Sequence, residues 1–549
     1  MNIRSSNIER LNGRTFDVLI VGGGINGAVS ASALTSQGAK VALIDRGDFG
    51  SYTSQQSSNL VWGGIKYLES AELALVRKLC VSRNRLIRTY PSSVKEIRFM
   101  ANVERGFRVP RLLLFLGACL YWLVGNLFTR PPRLLAKRDI DRDEPHIRTE
   151  DGTGGIEFSD AYLVDNDTRF VFNFIRAALD HGGIMANYVE AIGSERDGSG
   201  YWHTRARDVV SGREISIRSR VVVNACGPFA DEMNRTNSQE TNHHHLFSKG
   251  VHLIVDRVTE VRRVLTFFAD DGRLFFVIPL GTKSCIGTTD TRVKSLPPVV
   301  TDDDRDFILD NVNKRLNLTR PLTRDDIIAE RCGVRPLVVS KRGQGYADEG
   351  DWTSLSRKHA IESDATNRHI SIFGGKLTDC LNVGEEVSQA VLKMGVKLPY
   401  QGVRWYGEPP DEVRDEFFHQ ATLMNLDAMT APESSEPLST RLWRRYASSA
   451  LSLLEDIRQD PRMADVLIHG TEYIRCEIHH AARREMIVKL EDFLRRRSKI
   501  ALVERTAAIQ SAPGLMEACR ILFGDQAQAR FDEYFDIRGQ QPPSHSASA

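Results

Sequence analysis

Apolar positions form a near-continuous run over residues 16–21, broken only by Asp17, and then give way to three glycines. A short apolar run bounded by glycine predicts a buried strand. Small and apolar side chains at helical spacing follow over 25–37, Gly38 supplies a helix stop, and 40–45 form a second apolar run. The opening pattern is thus strand, tight turn, helix, strand. Leu73, Val76, Leu79 and Leu86 give a helix over 70–90, ended by Pro91. A further helix over 169–181 stops at Gly182 and Gly183. Strand-like runs come next at 185–196, 201–210 and 214–218, and a separate strand at 220–224. Alternating runs at 264–269, 273–279 and 284–289 give the next stretch antiparallel character, with a helix over 302–316 behind Thr301 and a strand over 327–336. Residues 370–373 are a strand running through a glycine pair into a helix that reaches 387. From about 404 the texture is helical, with 430–437 as a linker-like interruption.

The first unit carries candidate chemistry. Gly22, Gly24 and Gly27 occupy G-x-G-x-x-G positions. The first glycine permits the tight turn, the second lets backbone approach a pyrophosphate, and the third lets helix pack on strand. Asp45 follows at the distance where a ribose hydroxyl needs an acceptor. Strand–turn–helix–strand–acid order makes this a dinucleotide site. Thr53, Ser54, Ser57 and Ser58 are small donors suited to a second contact zone, and Gly63 and Gly64 let backbone lie close to a flat ring. Asn224 and Gly227 end a strand that returns to the same site. Gly375, Lys376, Leu377 and Thr378 open a second helix whose N-terminus would face the ring.

Length changes the picture to two or three domains, since 549 residues bury more than one core. A formal net charge of +2 gives no basic field, so nucleic acid is not an expected partner. The eight cysteines are scattered without C-x-x-C spacing, as in a reduced compartment, and the N-terminus has no apolar signal core. Three successive histidines, His243 to His245, cannot converge on one ion, and they read as a polar loop with no metal. The uncharged run 112–128 admits three readings: a helix capping the cofactor domain, superficial insertion in one leaflet, or a membrane span. Arginine clusters at 444–445, 483–484 and 495–497 read either as solvated helix faces with packing ion pairs or as a surface for anionic lipid.

Residues 53–69 resemble the flavin-linked glycerol-3-phosphate dehydrogenases, whose run is approximately T-S-x-x-S-S-x-L-x-H-G-G-L-R-Y-L-E. The resemblance recurs at 224–231 (NACGPFAD), 248–252 (SKGVH), 276–290, 333–337 (GVRPL) and 373–378 (FGGKLT). It implies a mixed α/β (α+β) fold. A Rossmann-like FAD-binding domain of the glutathione-reductase/amino-acid-oxidase type would span 14–100, 150–235 and 366–400. An antiparallel-sheet substrate domain would take 101–149 and 236–365, a C-terminal helical domain 404–537, and a disordered tail 538–549. It implies noncovalent FAD and oxidation of sn-glycerol 3-phosphate to dihydroxyacetone phosphate, with electrons passing to membrane quinone. The alternatives are an oxidase using O2, a paralogue acting on another phosphorylated or acidic alcohol, and a flavin-binding regulatory protein with a decayed site. By the same resemblance Arg335, His252, Lys376 and Tyr67 are the catalytic group, and Arg357, Arg335 and Lys66 hold the substrate anion. The expected location is the inner face of the cytoplasmic membrane, peripherally bound, and a homodimer is the assembly to test for. Departures occur at Lys66, Asp379, Cys380 and Leu381; two family arginines are replaced, by Lys66 and Leu381.

Overall fold

The computed structural model describes residues 3–269, 272–340 and 358–539, so Arg357 and the tail from 540 lie outside the described residues. Five strands run parallel in the first sheet, in the order His369–Phe373, Glu214–Asn224, Thr15–Val21, Val41–Ile44, Ile184–Ala186. Ala360–Asp364 adds an antiparallel edge, and Val189–Arg196 and Trp202–Asp208 form the expected meander. The returning strand is one piece, Glu214–Asn224, rather than the two read from the sequence. Pairing with the meander at its start and with Thr15–Val21 at its end keeps it continuous through Ser219.

Both faces of the parallel strands are covered, which is why 18–21, 41–44, 184–186 and 221–223 are apolar throughout. Val18 and Ile20 join a core with helices Ile25–Ser36, Asp167–Asp180 and Cys380–Lys393. Leu19, Val21, Ala42 and Ile44 face the other way, onto Ile8 and Leu11 of an N-terminal helix that sequence patterning did not show. Gly38, at φ +89°, stops the first of these helices as expected.

The second sheet has ten strands, ordered Thr291–Val293, His243–Asp256, Lys283–Gly287, Leu274–Leu280, Val264–Phe268, Val94–Glu104, Gly152–Leu163, Leu60–Val61. Ala329–Ser340 pairs with His243–Asp256, and Arg133–Leu135 with Gly152–Leu163. Sequence boundaries had given residues 94–100 and 150–163 to the cofactor unit. Their long antiparallel pairing with each other, and the parallel pairing of 264–266 with 99–101, put both strands in the second sheet. The histidine triplet begins a strand and is not a loop. Thr301 caps helix Asp302–Arg315 with a reciprocal Asp304 contact, and Ile308, Leu309 and Val312 bury that helix against the sheet.

Most of the apolar run 112–128 lies in helix Arg111–Val124, 14 residues long. At about 1.5 Å per residue it spans roughly 21 Å, short of a bilayer core. Among the described residues no helix is long and apolar enough to cross a membrane, which removes the spanning reading. Helices from Asp411–Leu423 to Ala527–Gly539 form the C-terminal unit around two small cores. Arg444, Arg445, Arg495, Arg496 and Arg497 are buried, against a solvated or lipid-facing reading, and four of them, Arg444, Arg445, Arg496 and Arg497, make the packing ion pairs that were the other part of the expectation; Arg483 and Arg484 remain exposed. Asp165, Glu436, Glu472 and Glu477 pair with Arg444 and Arg445.

Candidate active site

A cleft enclosing about 1080 Å³, partly continuous with solvent, lies beyond the carboxyl ends of the parallel strands. Val21, Asp45, Ala225 and Gly374 each follow or end a strand there and line it. Gly22 has φ +106°, and a Cβ on it would come 2.4 Å from Ala225 O. A Cβ on Gly27 would stand 1.8 Å from Gly22 O, so helix and strand touch only because this position has no side chain. Gly24 is the N-cap of helix Ile25–Ser36, whose first turn has no acidic residue, so its positive end is left for an anion. Ser54 Oγ accepts from Ile25 N at 3.1 Å.

Asp45 accepts from Gly23 N (2.6 Å) and Gly47 N (2.8 Å), and burial pushes its carboxyl up to about 6. Thr53 donates to Val334 O at 3.1 Å, tying the hydroxyl-rich segment to the second sheet. Ser57 N donates to Asp167, Ser57 Oγ accepts from Asn59 N, and Ser58 between them is half-buried. Gly64, at φ +83°, and Gly63 turn over a buried triad. Arg83 and Tyr121 donate to Asp160, and Asp160 accepts from Gly63 N at 3.1 Å. Tyr121 comes from the apolar helix, so that helix caps the Gly63–Gly64 turn.

Asn224 does not line the cleft. Its amide donates to Ala230 O and Asn234 Oδ1, bracing the turn, and the lining begins at Ala225, Cys226 and Gly227. Sequence reasoning also missed the cluster at the cleft's mouth, where Arg46 lies 3.8 Å over the Phe229 ring and Tyr52 packs edge-on to Phe229. Only aromatic spacing in space, not in sequence, marks it.

On the second sheet, His252 and Arg331 are paired neighbours on antiparallel strands, as are Ser248 and Arg335; none of the four lines the cleft, which Pro336 reaches. Residues four apart on a strand share a face, so His252, Arg331 and Arg335 point the same way, with Gly250 and Gly333 between them. Gly333 abuts Gln56: a Cβ there would meet Gln56 Cβ at 2.8 Å. That face therefore meets the cofactor segment. Arg335 donates to Thr288 Oγ1 (3.0 Å), Asp290 Oδ1 (3.2 Å) and Thr289 O (3.3 Å). Arg331, unsuspected from sequence, is buried and donates to Ser57 O and Asn59 Oδ1.

His252 is buried with neither ring nitrogen hydrogen-bonded. Burial, then Arg335 and Arg331, push its imidazole down to about 3, so it is neutral near pH 7. The unfolded chain binds a proton at His252 from about pH 6.5 downward while the folded chain does not, so folding stability falls as pH drops through that window. Denaturant titrations at pH 7 and pH 5 should show His252→Gln losing roughly 2 kcal/mol less than the parent over that interval. Equal losses would mean His252 is charged in the fold.

Lys376 Nζ donates to Tyr67 OH at 2.6 Å and lies 4.1 Å over its ring. Thr378 Oγ1 donates to Trp62 O at 3.2 Å, which fixes Leu377–Asp379 beside the Gly63–Gly64 turn. Lys66 is exposed on the neighbouring 3-10 turn. Gly374 packs against Pro336, next to Arg335. Of the changed positions, Asp379 pairs with His359 at 2.9 Å, while Cys380 and Leu381 are buried in the first core. The departure at Leu381 thus falls in packing and not on the cleft wall. Among the described residues no His/Cys/Asp/Glu group could hold a metal ion.

Residues 17–355 match the family described as FAD dependent oxidoreductase, and residues 396–529 match the C-terminal domain of alpha-glycerophosphate oxidase. Glycerol-3-phosphate dehydrogenase 2 of Mycobacterium tuberculosis is 30% identical over 500 residues, which cover 90% of this chain and 82% of that one. The chain belongs to the FAD-dependent glycerol-3-phosphate dehydrogenase family. A probable glycerol-3-phosphate dehydrogenase of Encephalitozoon cuniculi is 28% identical over 523 residues, 92% of this chain and 82% of that one. The solved structure of the glycerol-3-phosphate dehydrogenase from Bacillus halodurans, complexed with FAD, superposes with TM-score 0.71 at 21% identity over 100% of both chains, and so shares the fold.

The family's cofactor is FAD, and the cleft fits it. Gly22, Gly24 and Gly27 leave room at the first helix N-terminus, and Asp45 lines the cleft where a ribose hydroxyl would donate. Asn26 Oδ1 is buried without a donor, and a Cβ on Gly375 would come 3.1 Å from it, so backbone and amide leave a narrow polar slot.

Proposed function

We propose that this protein oxidises sn-glycerol 3-phosphate to dihydroxyacetone phosphate and delivers the electrons to a membrane quinone. The observation that carries this reading is that Arg335 and a neutral His252 share the one strand face that meets the cofactor segment. Arg335 holds the phosphate, for which a planar guanidinium is suited, and lies close to the reacting hydroxyl. His252 takes the hydroxyl proton at a ring nitrogen. A bound dianion offsets Arg335 and Arg331 and so raises the basicity of His252 when substrate is present. Lys376, held by Tyr67, bounds the other side, with Lys66 at the rim and Arg357 as a second phosphate contact. When bound, FAD supplies the acceptor for the hydride from the alcohol carbon.

Anaerobic mixing tests the reading. Glycerol 3-phosphate should bleach the oxidised flavin spectrum and glycerol should not. A spectrum unchanged by glycerol 3-phosphate would leave only a different substrate or a purely regulatory flavoprotein. The C-terminal match to a glycerophosphate oxidase domain favours a second reading, in which O2 is the acceptor. Stoichiometric hydrogen peroxide under air would establish it, and peroxide-free turnover with a quinone would exclude it.

The same reading includes peripheral attachment to the cytoplasmic membrane's inner face. Leu112, Leu113, Leu116, Leu120, Leu123 and Leu127 are 42–60% exposed, while Ala118 and Tyr121 on the other side are buried. A leucine face of this kind suits shallow insertion in one leaflet. The buried arginine runs contribute nothing to it. Membrane-bound protein is expected to resist salt and to leave with detergent, and a Leu116→Glu, Leu120→Glu double variant should sediment with membranes at least roughly tenfold less. Equal sedimentation of parent and variant would remove this helix as the contact.

A further inference from the structure

The π-helical turn Asp492–Arg497 ends in three successive arginines, all buried. In an α-helix three consecutive side chains fan over roughly 200°. The wider π turn narrows that fan, so all three reach the same neighbour, the first domain. Arg496 Nε donates to Asp48 Oδ2 at 2.9 Å, and Arg497 donates to both Asp48 oxygens at 2.8 and 2.9 Å. These two guanidinia have a buried carboxylate as partner.

Arg495 differs. Among the described residues it has no carboxylate within 4.0 Å; the charge that bears on it most is another cation, Arg331, which the more distant Asp167 only partly offsets. Burial and Arg331 hold its guanidinium down to about 9, and its Nη1 has no partner. Its contacts are the backbone carbonyl of Gln55 and, at 3.4 Å, the side-chain oxygen of Gln56. Asn166 in turn holds the Arg495 carbonyl at 2.6 Å. Burying a guanidinium without a paired carboxylate opposes folding. What this arrangement does accomplish is to fix Gln55 and Gln56, between Ser54, which touches the glycine helix, and Ser57, which Arg331 holds from the other side.

We infer that Arg495 is a positioning residue for the FAD site: the C-terminal unit reaches across to hold the hydroxyl-rich segment in the shape that retains the cofactor. The inference rests on the family's FAD and not on the choice of substrate, so it survives a negative result with glycerol 3-phosphate. The test is release of FAD from the holoenzyme on dilution, followed by the rise in free-flavin fluorescence. Arg495→Met fills the same space without charge or donor. It should release FAD roughly tenfold faster, as expected for one lost charged hydrogen bond, while the unfolding temperature in excess FAD stays at or above the parent's. Arg441→Met is the control, since Arg441 is also buried but pairs with Glu477 at 2.8 Å inside the C-terminal unit. It should lower the unfolding temperature and leave FAD release unchanged. Parental release from Arg495→Met, or equal acceleration by the two variants, would overturn the assignment.

Discussion

Arg335→Ala is expected to lower kcat/KM for glycerol 3-phosphate at least tenfold while FAD content stays near the parent's. Loss of a charged hydrogen bond to phosphate removes roughly 1.5–3 kcal/mol, and about 1.4 kcal/mol corresponds to each factor of ten. Lysine at this position should recover only part, because it keeps charge without the guanidinium fork. Glycerol, without a phosphate, should be a poor substrate for the parent and nearly indifferent to the change. Arg335 also donates to Thr288 and Asp290, so the unfolding midpoint has to be measured alongside. Full activity in Arg335→Ala would sink the anion-binding assignment, and equal losses for both substrates would make the residue structural.

The largest effect on cofactor content should come from Gly27→Ala. Its Cβ would stand 1.8 Å from the Gly22 carbonyl oxygen, a backbone atom that cannot swing aside. Strand and helix must separate, at a cost of roughly 1–3 kcal/mol or more, and the pyrophosphate turn opens with them. FAD per protein should fall at least about fivefold at limiting FAD. Gly24→Ala is the comparison: its Cβ would meet only Ser54 Oγ, at 3.3 Å, so strand and helix should stay together and the unfolding midpoint without FAD should change far less than in Gly27→Ala. A fully loaded Gly27→Ala protein would mean that the turn tolerates what its geometry forbids.

The first sheet was legible because burial on both faces writes strands as apolar runs, and glycine marks where they turn. The strands 94–104 and 152–163 were not, because each is identified by its partner, and the partners stand some fifty residues apart across an insertion. At the site, Gly22, Gly24, Asp45 and Ser54 are suggested by order and spacing, and all four line the cleft. Arg331 could not, since its significance lies in being opposite His252 across a strand pair. Asn224 stands at the cleft's edge in sequence, but its amide is held by Ala230 and Asn234, a use that sequence order does not show. Arginine runs can be solvated faces, packing ion pairs or lipid contacts in a sequence, because nothing there shows which carboxylates will bury them. Asp48 and Asp165 are several hundred residues from the arginines they hold.

That separation bears on how the protein is made. Asp48 and Arg496 are 448 positions apart. At a synthesis rate of about 5–20 residues per second, the cofactor segment leaves the ribosome roughly 20–90 seconds before its arginine clamp exists. The His369–Phe373 strand, which completes the parallel sheet, is also late. The nascent amino-terminal half therefore displays Asp48 as a buried-type acid with no cation to meet it. A chain terminated before residue 495 would keep every glycine of the dinucleotide turn and still lack the far end of its own binding site.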